Sequence, residues 1–523
     1  MLLFWSNPEF VRHRRAELRR GRAFTVAAVV LVLCVLIGLA AWASAANELE
    51  MAQIRSARFG RPTQAQLFEM QQRLPSEALQ LFYRSLMYTQ AGILAFWSLF
   101  SCAQAVSGER ERKTWDFQRT TRLRPADLML GKLLGEPVLA YFIVLCCLPI
   151  AAISGLAAKI GLLHVLSAYL LIVSSALFIG LAGLWLSSLF ESRSRGVGLI
   201  GTAGLFAFLA LSFNFRVSEL PGLAGFSPLA GLPQLVEPSG SATALPTLFG
   251  AQIPWLLMSL LLYMAFGAWI ALMLGRNLKK DYEEMRPLSR WQAVGCAAFL
   301  NFLLYALFHP HPWSPPDSHS FTTFIVIMNG LIILAVGVAT LAPHERLRIW
   351  WRKRGAHEAT LLSEDGPPWP WLVLSAVVAY ALLIWGLFAW RRVLGFETSS
   401  LSGGAIQMAA VLIFVTRDVL FLQWCRLTRL RAPLIKGALY LCLYYIASLV
   451  FTFVFSVRSE WDGRIVYSLL TPAGALDGRS YGVHFPVGVF GGMSLQLIVV
   501  GVLVTLIIRR LKRPPLTAAV VGD

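Results

Sequence analysis

Apolar runs of roughly 20 residues, the length that crosses a hydrocarbon core as a helix, alternate along this chain with short segments that gather most of its charge. The runs carry neither a period-2 alternation nor a 3.6-residue stripe, so they predict helices that are apolar all round rather than barrel strands or the amphipathic helices of a soluble core. A backbone in lipid must satisfy its own hydrogen bonds, which makes the helix the element these runs form. They fall at about 23–46, 86–107, 135–156, 164–189, 196–215, 253–275, 291–308, 321–341, 371–390, 398–416, 434–456 and 488–508. The expected fold class is all-α, a polytopic transmembrane helical protein of about 12 spans.

Composition agrees with that pattern. Of 523 residues, 57% are hydrophobic and 14% charged, against about 25% charged in an ordinary soluble protein, which excludes soluble enzyme architectures. The formal net charge of +18 admits nucleic acid or anionic lipid as its cause, and its distribution decides. With the N-terminal segment inside, alternate segments hold 33 Lys/Arg on the cytoplasmic side and 12 outside, with Arg417 at a boundary. That asymmetry is the positive-inside pattern, places both termini in the cytoplasm and leaves no need for a nucleic-acid partner. Six arginines between Arg12 and Arg22 precede the first run. Ala43-Ser44-Ala45 looks like a signal-peptidase site, but the run is too long for a signal-peptide core, so an uncleaved anchor is expected. The seven cysteines have no CxxC spacing and read as small hydrophobes.

The charged stretch Arg276 to Arg290 divides the runs six and six. Outside, Asn47 to Arg84 is polar and helical in pattern, and Arg216 to Gln252 is rich in Pro, Gly and Leu and reads as irregular or re-entrant. Arg110 to Arg124 and Arg417 to Arg431 align without gaps, with six identities in fifteen. If that is an internal repeat, Arg417 and Asp418 correspond to Arg110 and Glu111 at a membrane boundary, which is the position expected for them. The rival position, inside the bilayer, costs about 2.5–3.5 kcal/mol per charge and marks an ion pathway.

The most informative stretch follows the second run: Ser107-Gly108-Glu109-Arg110-Glu111-Arg112-Lys113-Thr114-Trp115-Asp116-Phe117. It reads as a short helix with Ser107 as cap, Glu109 and Glu111 at the positive end of the dipole, and Glu109 four residues before Lys113. Trp115 and Phe117 then project from a charged surface. Such an aromatic pair either meets a partner or lies at the membrane interface of a positive-inside loop.

The string GERERKTWDFQRTTRLRPADLMLGKLLGEP resembles the signature of type-2 ATP-binding-cassette (ABC) exporter permeases. In these a Glu-Arg-Glu-Arg-(Gly/Lys)-Thr helix precedes a Gly-Lys-Leu-Leu entry into the third span; the matching positions are Glu109 to Thr114 and Gly131 to Leu134. Ser6-Asn7-Pro8-Glu9 with the arginines after it resembles that family's interfacial elbow helix, Asn7 capping and Pro8 opening it, with Glu9 and Arg12 in its first turns. Ser227-Pro228-Leu229 resembles its outer re-entrant segment.

The resemblance covers residues 1 to about 280 and implies an elbow helix at 1–22 and a six-span permease module at 23–280 with a coupling helix near 108–124; spans 7 to 12 depart from that unit, and 281–523 is expected to be a second six-span module, with a degenerate relative of the first as one reading. His344 to Gly355, with Trp350 and Trp351, is a candidate second elbow. The implied function is the permease subunit of an exporter in a prokaryotic cytoplasmic (inner) membrane. ATP and Mg are handled by a partner ATPase and no cofactor binds this chain. The implied coupling residues are Glu109, Arg110, Glu111, Arg112, Lys113, Thr114, Trp115 and Phe117, with Glu191, Arg193 and Arg195 of the loop after the fourth span as a second contact. The partners are a cytoplasmic ABC ATPase, a second permease copy or a related permease, and membrane lipid.

No G-x-x-x-x-G-K-[ST] phosphate loop occurs, and Leu401-Ser402-Gly403-Gly404 mimics the ATPase signature tetrapeptide without a nucleotide-binding fold around it. His309, His311 and His319 with Asp317 are candidate metal ligands, but read more simply as a solvated turn. Asn301 and Asn329 fit interhelical hydrogen bonding. No constellation of carboxylates, Ser/His or His/Glu points to a membrane enzyme. A twelve-span secondary transporter is the alternative; it expects intramembrane charge for ion coupling.

Overall fold

Helices make up nearly all the regular structure, because each apolar run satisfies its backbone internally. The computed structural model describes residues 6–59, 64–120, 123–189, 224–236, 245–249, 251–278, 288–307, 318–394, 398–428, 433–458, 466–472 and 485–512. They belong to two units, Met1–Pro287 and Leu288–Asp523.

The first unit contains α1 (Pro8–Glu17), α2 (Arg20–Phe59), α3 (Gln64–Glu111), α4 (Trp115–Thr120), α5 (Pro125–Gly135), α6 (Val138–Ala157), α7 (Leu162–Leu189), α8 (Pro228–Val236), a two-residue antiparallel hairpin of β1 (Thr247–Leu248) and β2 (Ala251–Gln252), and α9 (Trp255–Asn277). Prolines set several of the starts: Pro8 and Pro125 open α1 and α5, and Pro254 precedes α9, positions where the missing amide is one the helix leaves unpaired anyway. Helices α3 and α7 form the centre of this unit. Gly183 lies directly against α3, where a Cβ would stand 2.8 Å from the Leu99 carbonyl oxygen; small residues at such a contact let two backbones meet in lipid. Further along the two helices Tyr83, Leu94, Ala151, Leu171 and Ile172 form a core.

The second unit contains α10 (Arg290–Leu307), α11 (Ser318–Ala339), α12 (His344–Gly355), α13 (Trp369–Leu394), α14 (Thr398–Arg426), α15 (Pro433–Arg458) and α16 (Phe485–Lys512). Helix α14 packs against α11, α13, α15 and α16. Leu401 to Gly404 lie in its first turns. The tenth run also proves longer than its expected 398–416: the helix continues to Arg426, so Arg417 and Asp418 are inside it and not at a boundary. The proposed correspondence with Arg110 and Glu111 fails with it, since those two end α3.

Among the described residues nine helices are long and apolar enough to cross a membrane, or ten if the pair α11 and α12, bent by 85°, is one span. Helix α10, with Arg290, Gln292 and Asn301 in its 18 residues, is not among them. The expected fifth span, 196–215, lies outside the described residues.

Candidate functional site

The elbow begins with a cap. Asn7 Oδ1 accepts the amides of Glu9 (3.0 Å) and Phe10 (3.4 Å), two of the donors a helix start leaves unpaired. Its Nδ2 donates to the carbonyl of Asp127 in α5 at 2.7 Å. That crossing requires glycine at 131, where a Cβ would stand 2.7 Å from both Asn7 Oδ1 and Glu9 Cβ. The Gly-Lys of the third-span entry thus has two separate jobs: Gly131 admits the elbow, and Lys132 receives its carboxylate.

Lys132 is fully buried. Its ammonium donates to Glu109 Oε2 at 2.6 Å and to Glu9 Oε1 at 3.3 Å. Arg12 Nη2 bridges the same two carboxylates, at 2.7 Å from Glu9 and 2.9 Å from Glu109. Gln118 Nε2 donates to Glu109 Oε1 at 2.6 Å. His13 Nε2 lies 3.5 Å from Glu9 and 3.7 Å from Glu136. Two cations are thereby set against two carboxylates, with α1, α3, α4 and α5 each contributing a side chain. Such a closed cluster is costly to form but strongly resists removal of any one member.

Burial, the largest single influence on Glu9, pushes its carboxyl up, but the hydrogen bond with His13 and the charges of Lys132 and Arg12 together bring it to about 2. Burial also raises Glu136, against the pull of His13 and Lys132. A carboxyl lowered on folding contributes stability that is complete above its ordinary value near 4.5 and is lost as pH falls through about 2. Acid titration between pH 5 and 2, followed by hydrogen exchange of residues 8–17, is therefore expected to release the elbow; in Glu9→Gln the elbow is looser at neutral pH and this dependence flattens.

The structure corrects the reading of 107–117 in three respects. Ser107 to Glu111 are the last turn of α3, not the first turn of a new helix, so Ser107 caps nothing and Glu109 and Glu111 sit at the negative end of the dipole. Glu109 tolerates that end because Lys132 and Arg12 face it, and it does not pair with Lys113. Trp115 is buried, packed with Leu128 and Leu133, while Arg110 and Lys132 lie 5.7 and 5.9 Å from its ring. Of the expected exposed aromatic pair only Phe117 remains, 77% exposed.

The reversal that turns Trp115 inward passes through Lys113 at φ 58°. The amides of Thr114 and Lys113 return to the carbonyls of Glu109 and Arg110, the double bond pattern that closes a helix with a left-handed residue. Lys113→Gly is expected to raise thermal stability by about 1 kcal/mol, since the left-handed region costs a side chain roughly that much; a melting curve in detergent checks it.

Glu111, Arg112, Lys113, Thr114 and Phe117 face outward. Arg110 Nη2 donates to the Ser188 carbonyl at 3.1 Å, and Ser187 Oγ accepts the amides of Val106 and Ser107, so this surface is also held to the end of α7. Glu191, Arg193 and Arg195 lie outside the described residues, as do His309, His311 and Asp317. No group of side chains able to hold a metal ion occurs among the described residues.

In the second unit Arg417 and Asp418 are each 5% exposed. Arg417 Nε and Nη2 donate to Asp418 Oδ1 (2.8 and 2.6 Å), Nη2 also to Tyr445 Oη (3.0 Å), and Nη1 to Tyr444 Oη (3.0 Å) and Gln496 Oε1 (2.9 Å). Tyr445 donates to Asp418 Oδ2 at 2.7 Å. All five guanidinium donors are therefore used. Tyr444 and Gln496 go on to the carbonyls of Leu470 and Leu469, tying α14, α15, α16 and segment 466–472 together.

Lys132, Gln118, His13 and Glu136 were not singled out as site residues from the sequence, because their partners are up to 123 positions away. The one local signal was a lysine at the mouth of an apolar run.

Residues 33–230 match the family model described as ABC-2 family transporter protein. The match begins in α2 and ends in α8, and so includes Glu109, Gln118 and Lys132 but not the elbow. No curated protein and no solved structure matches the chain.

Proposed function

From the match of residues 33–230 to the ABC-2 family transporter model we propose that the chain is the membrane-spanning subunit of an ABC exporter, driven by ATP that a separate cytoplasmic subunit hydrolyses. The observation that carries the reading is the cluster of Glu9, Arg12, Glu109 and Lys132. It joins the outward surface around Glu111 and Phe117 to the elbow and to the entries of the second and third spans. A push on that surface moves the span ends with it, instead of being absorbed in a loose loop. The mechanism is mechanical: the chain binds no nucleotide, and its residues transmit force.

The contact proposed for the ATPase is the exposed Phe117 with Glu111, Arg112 and Lys113 around it, an apolar anchor in a polar rim. Trp115 acts from beneath, holding α4 against Leu128 and Leu133. Affinity purification of the full chain in mild detergent is expected to bring down an ATPase of about 25–35 kDa, the size of one or two compact domains. Phe117→Asp is expected to lose it with the melting temperature unchanged. Undiminished capture would overturn the docking assignment.

Arg417 and Asp418 favour a second reading, a secondary transporter driven by an ion gradient, because charge inside a span often serves an ion pathway. Saturation of the guanidinium by Asp418, Tyr444, Tyr445 and Gln496 supports a clasp between helices instead.

A further inference from the structure

The second unit carries a concentration of positive charge that the account of transport does not use. Helix α12 leaves α11 at 85°, so it lies along the membrane surface if α11 crosses the bilayer. The corner is fixed on both sides. The amide of Ala342 donates to Gln423 Oε1 at 2.9 Å, Gln423 Nε2 donates back to the Ala342 carbonyl at 2.8 Å, and Arg426 Nη1 holds the Leu341 carbonyl at 3.0 Å. Leu347 turns inward against Leu503, Ile507 and Leu511 of α16, and Trp350 is buried with its indole N–H donating to the Thr360 carbonyl at 2.9 Å.

The outer side of this buttressed helix is basic. Arg352, Lys353 and Arg354 in its last turn are exposed, and the end of α16 packed beside it adds exposed Arg509 and Lys512. Among the described residues none of these five is ion-paired. Ile349, one turn before Arg352 and Lys353, is 40% exposed. Cations with an apolar side chain among them, on a helix parallel to the surface, match the chemistry of a bilayer interface: anionic headgroup outside, acyl chain beneath. The side is the arginine-rich one, which the charge asymmetry assigns to the cytoplasm.

We propose that α12 and the end of α16 form a binding site for anionic glycerophospholipid headgroups. An acidic protein would need a surface shaped to this corner; a lipid needs only the charge and the plane. The inference is independent of what drives transport.

The test uses the full purified chain in mild detergent, with phosphatidylglycerol and phosphatidylcholine of the same chain length as probes and native mass spectrometry as readout. Retention of phosphatidylglycerol is expected to exceed that of phosphatidylcholine at least tenfold. It is expected to fall to the phosphatidylcholine level in a variant with Arg352, Lys353, Arg509 and Lys512 changed to Gln, and much less in a control with Arg15, Arg19, Arg20 and Arg22 changed to Gln. All eight side chains are exposed, so both variants keep the fold, as melting curves verify. Equal retention of the two lipids, or equal loss in the two variants, overturns the proposal. So does displacement of the lipid by millimolar inorganic phosphate, or loss of a co-purified acidic protein from the first variant with its lipid retention intact.

Discussion

Lys132→Met is expected to destabilise the elbow and the end of α3 by about 3–5 kcal/mol, the cost of leaving buried carboxylates without their cation. Of the two cations that face Glu9 and Glu109 only Arg12 then remains, and it is half exposed, so it cannot replace the fully buried ammonium. Hydrogen exchange localises the effect: residues 8–17 and 105–120 are expected to lose protection while α9 and the second unit keep theirs. Adding Glu109→Gln is expected to restore part of the loss, because it removes one of the stranded charges. Additive destabilisation in that double variant would mean that the two residues do not interact. Since the cluster joins the outward surface to the spans and residues 105–120 include Phe117, Lys132→Met is expected to weaken ATPase capture together with transport.

Arg417→Leu is expected to cost a similar 3–5 kcal/mol, in the second unit. It strands Asp418 inside α14 and removes the donors that Tyr444, Tyr445 and Gln496 accept. Asp418→Leu strands the guanidinium in the same way. Changing both to Leu leaves a neutral, apolar pair of positions and is expected to be more stable than either single variant. Thermal unfolding in detergent measures all three. A double variant worse than both singles would show that the pair does more than satisfy its own charges, and would favour an ion pathway.

Most of the architecture was legible in the runs themselves, since an apolar stretch of spanning length has few alternatives to a helix. The elbow start was legible for a local reason: Asn followed by Pro is a cap and a first turn, and both act within three residues. What escaped the sequence depends on contacts at long range. Nothing near Gly108 indicates that α3 runs on past the apolar stretch, because helices continue wherever the backbone is paired and no breaker intervenes. The charged sequence neighbours of Trp115 predict exposure. Its neighbours in space are Leu128 and Leu133, reached through a left-handed turn at a lysine that no spacing rule marks. Arg417 and Asp418 looked like a boundary because charge in a span is expensive; the tyrosines and glutamine that make it tolerable come from two later helices.

If force enters this chain through the surface around Phe117, as proposed, a separate ATPase touches that residue. A photo-crosslinking amino acid in place of Phe117, in the full chain expressed in its native cells, tests it most directly. One main adduct is expected, a protein with a P-loop and ATPase activity, lost when the probe is moved to Leu163, exposed in the first turn of α7. An adduct to lipid alone, or the same protein captured equally from both positions, would contradict it.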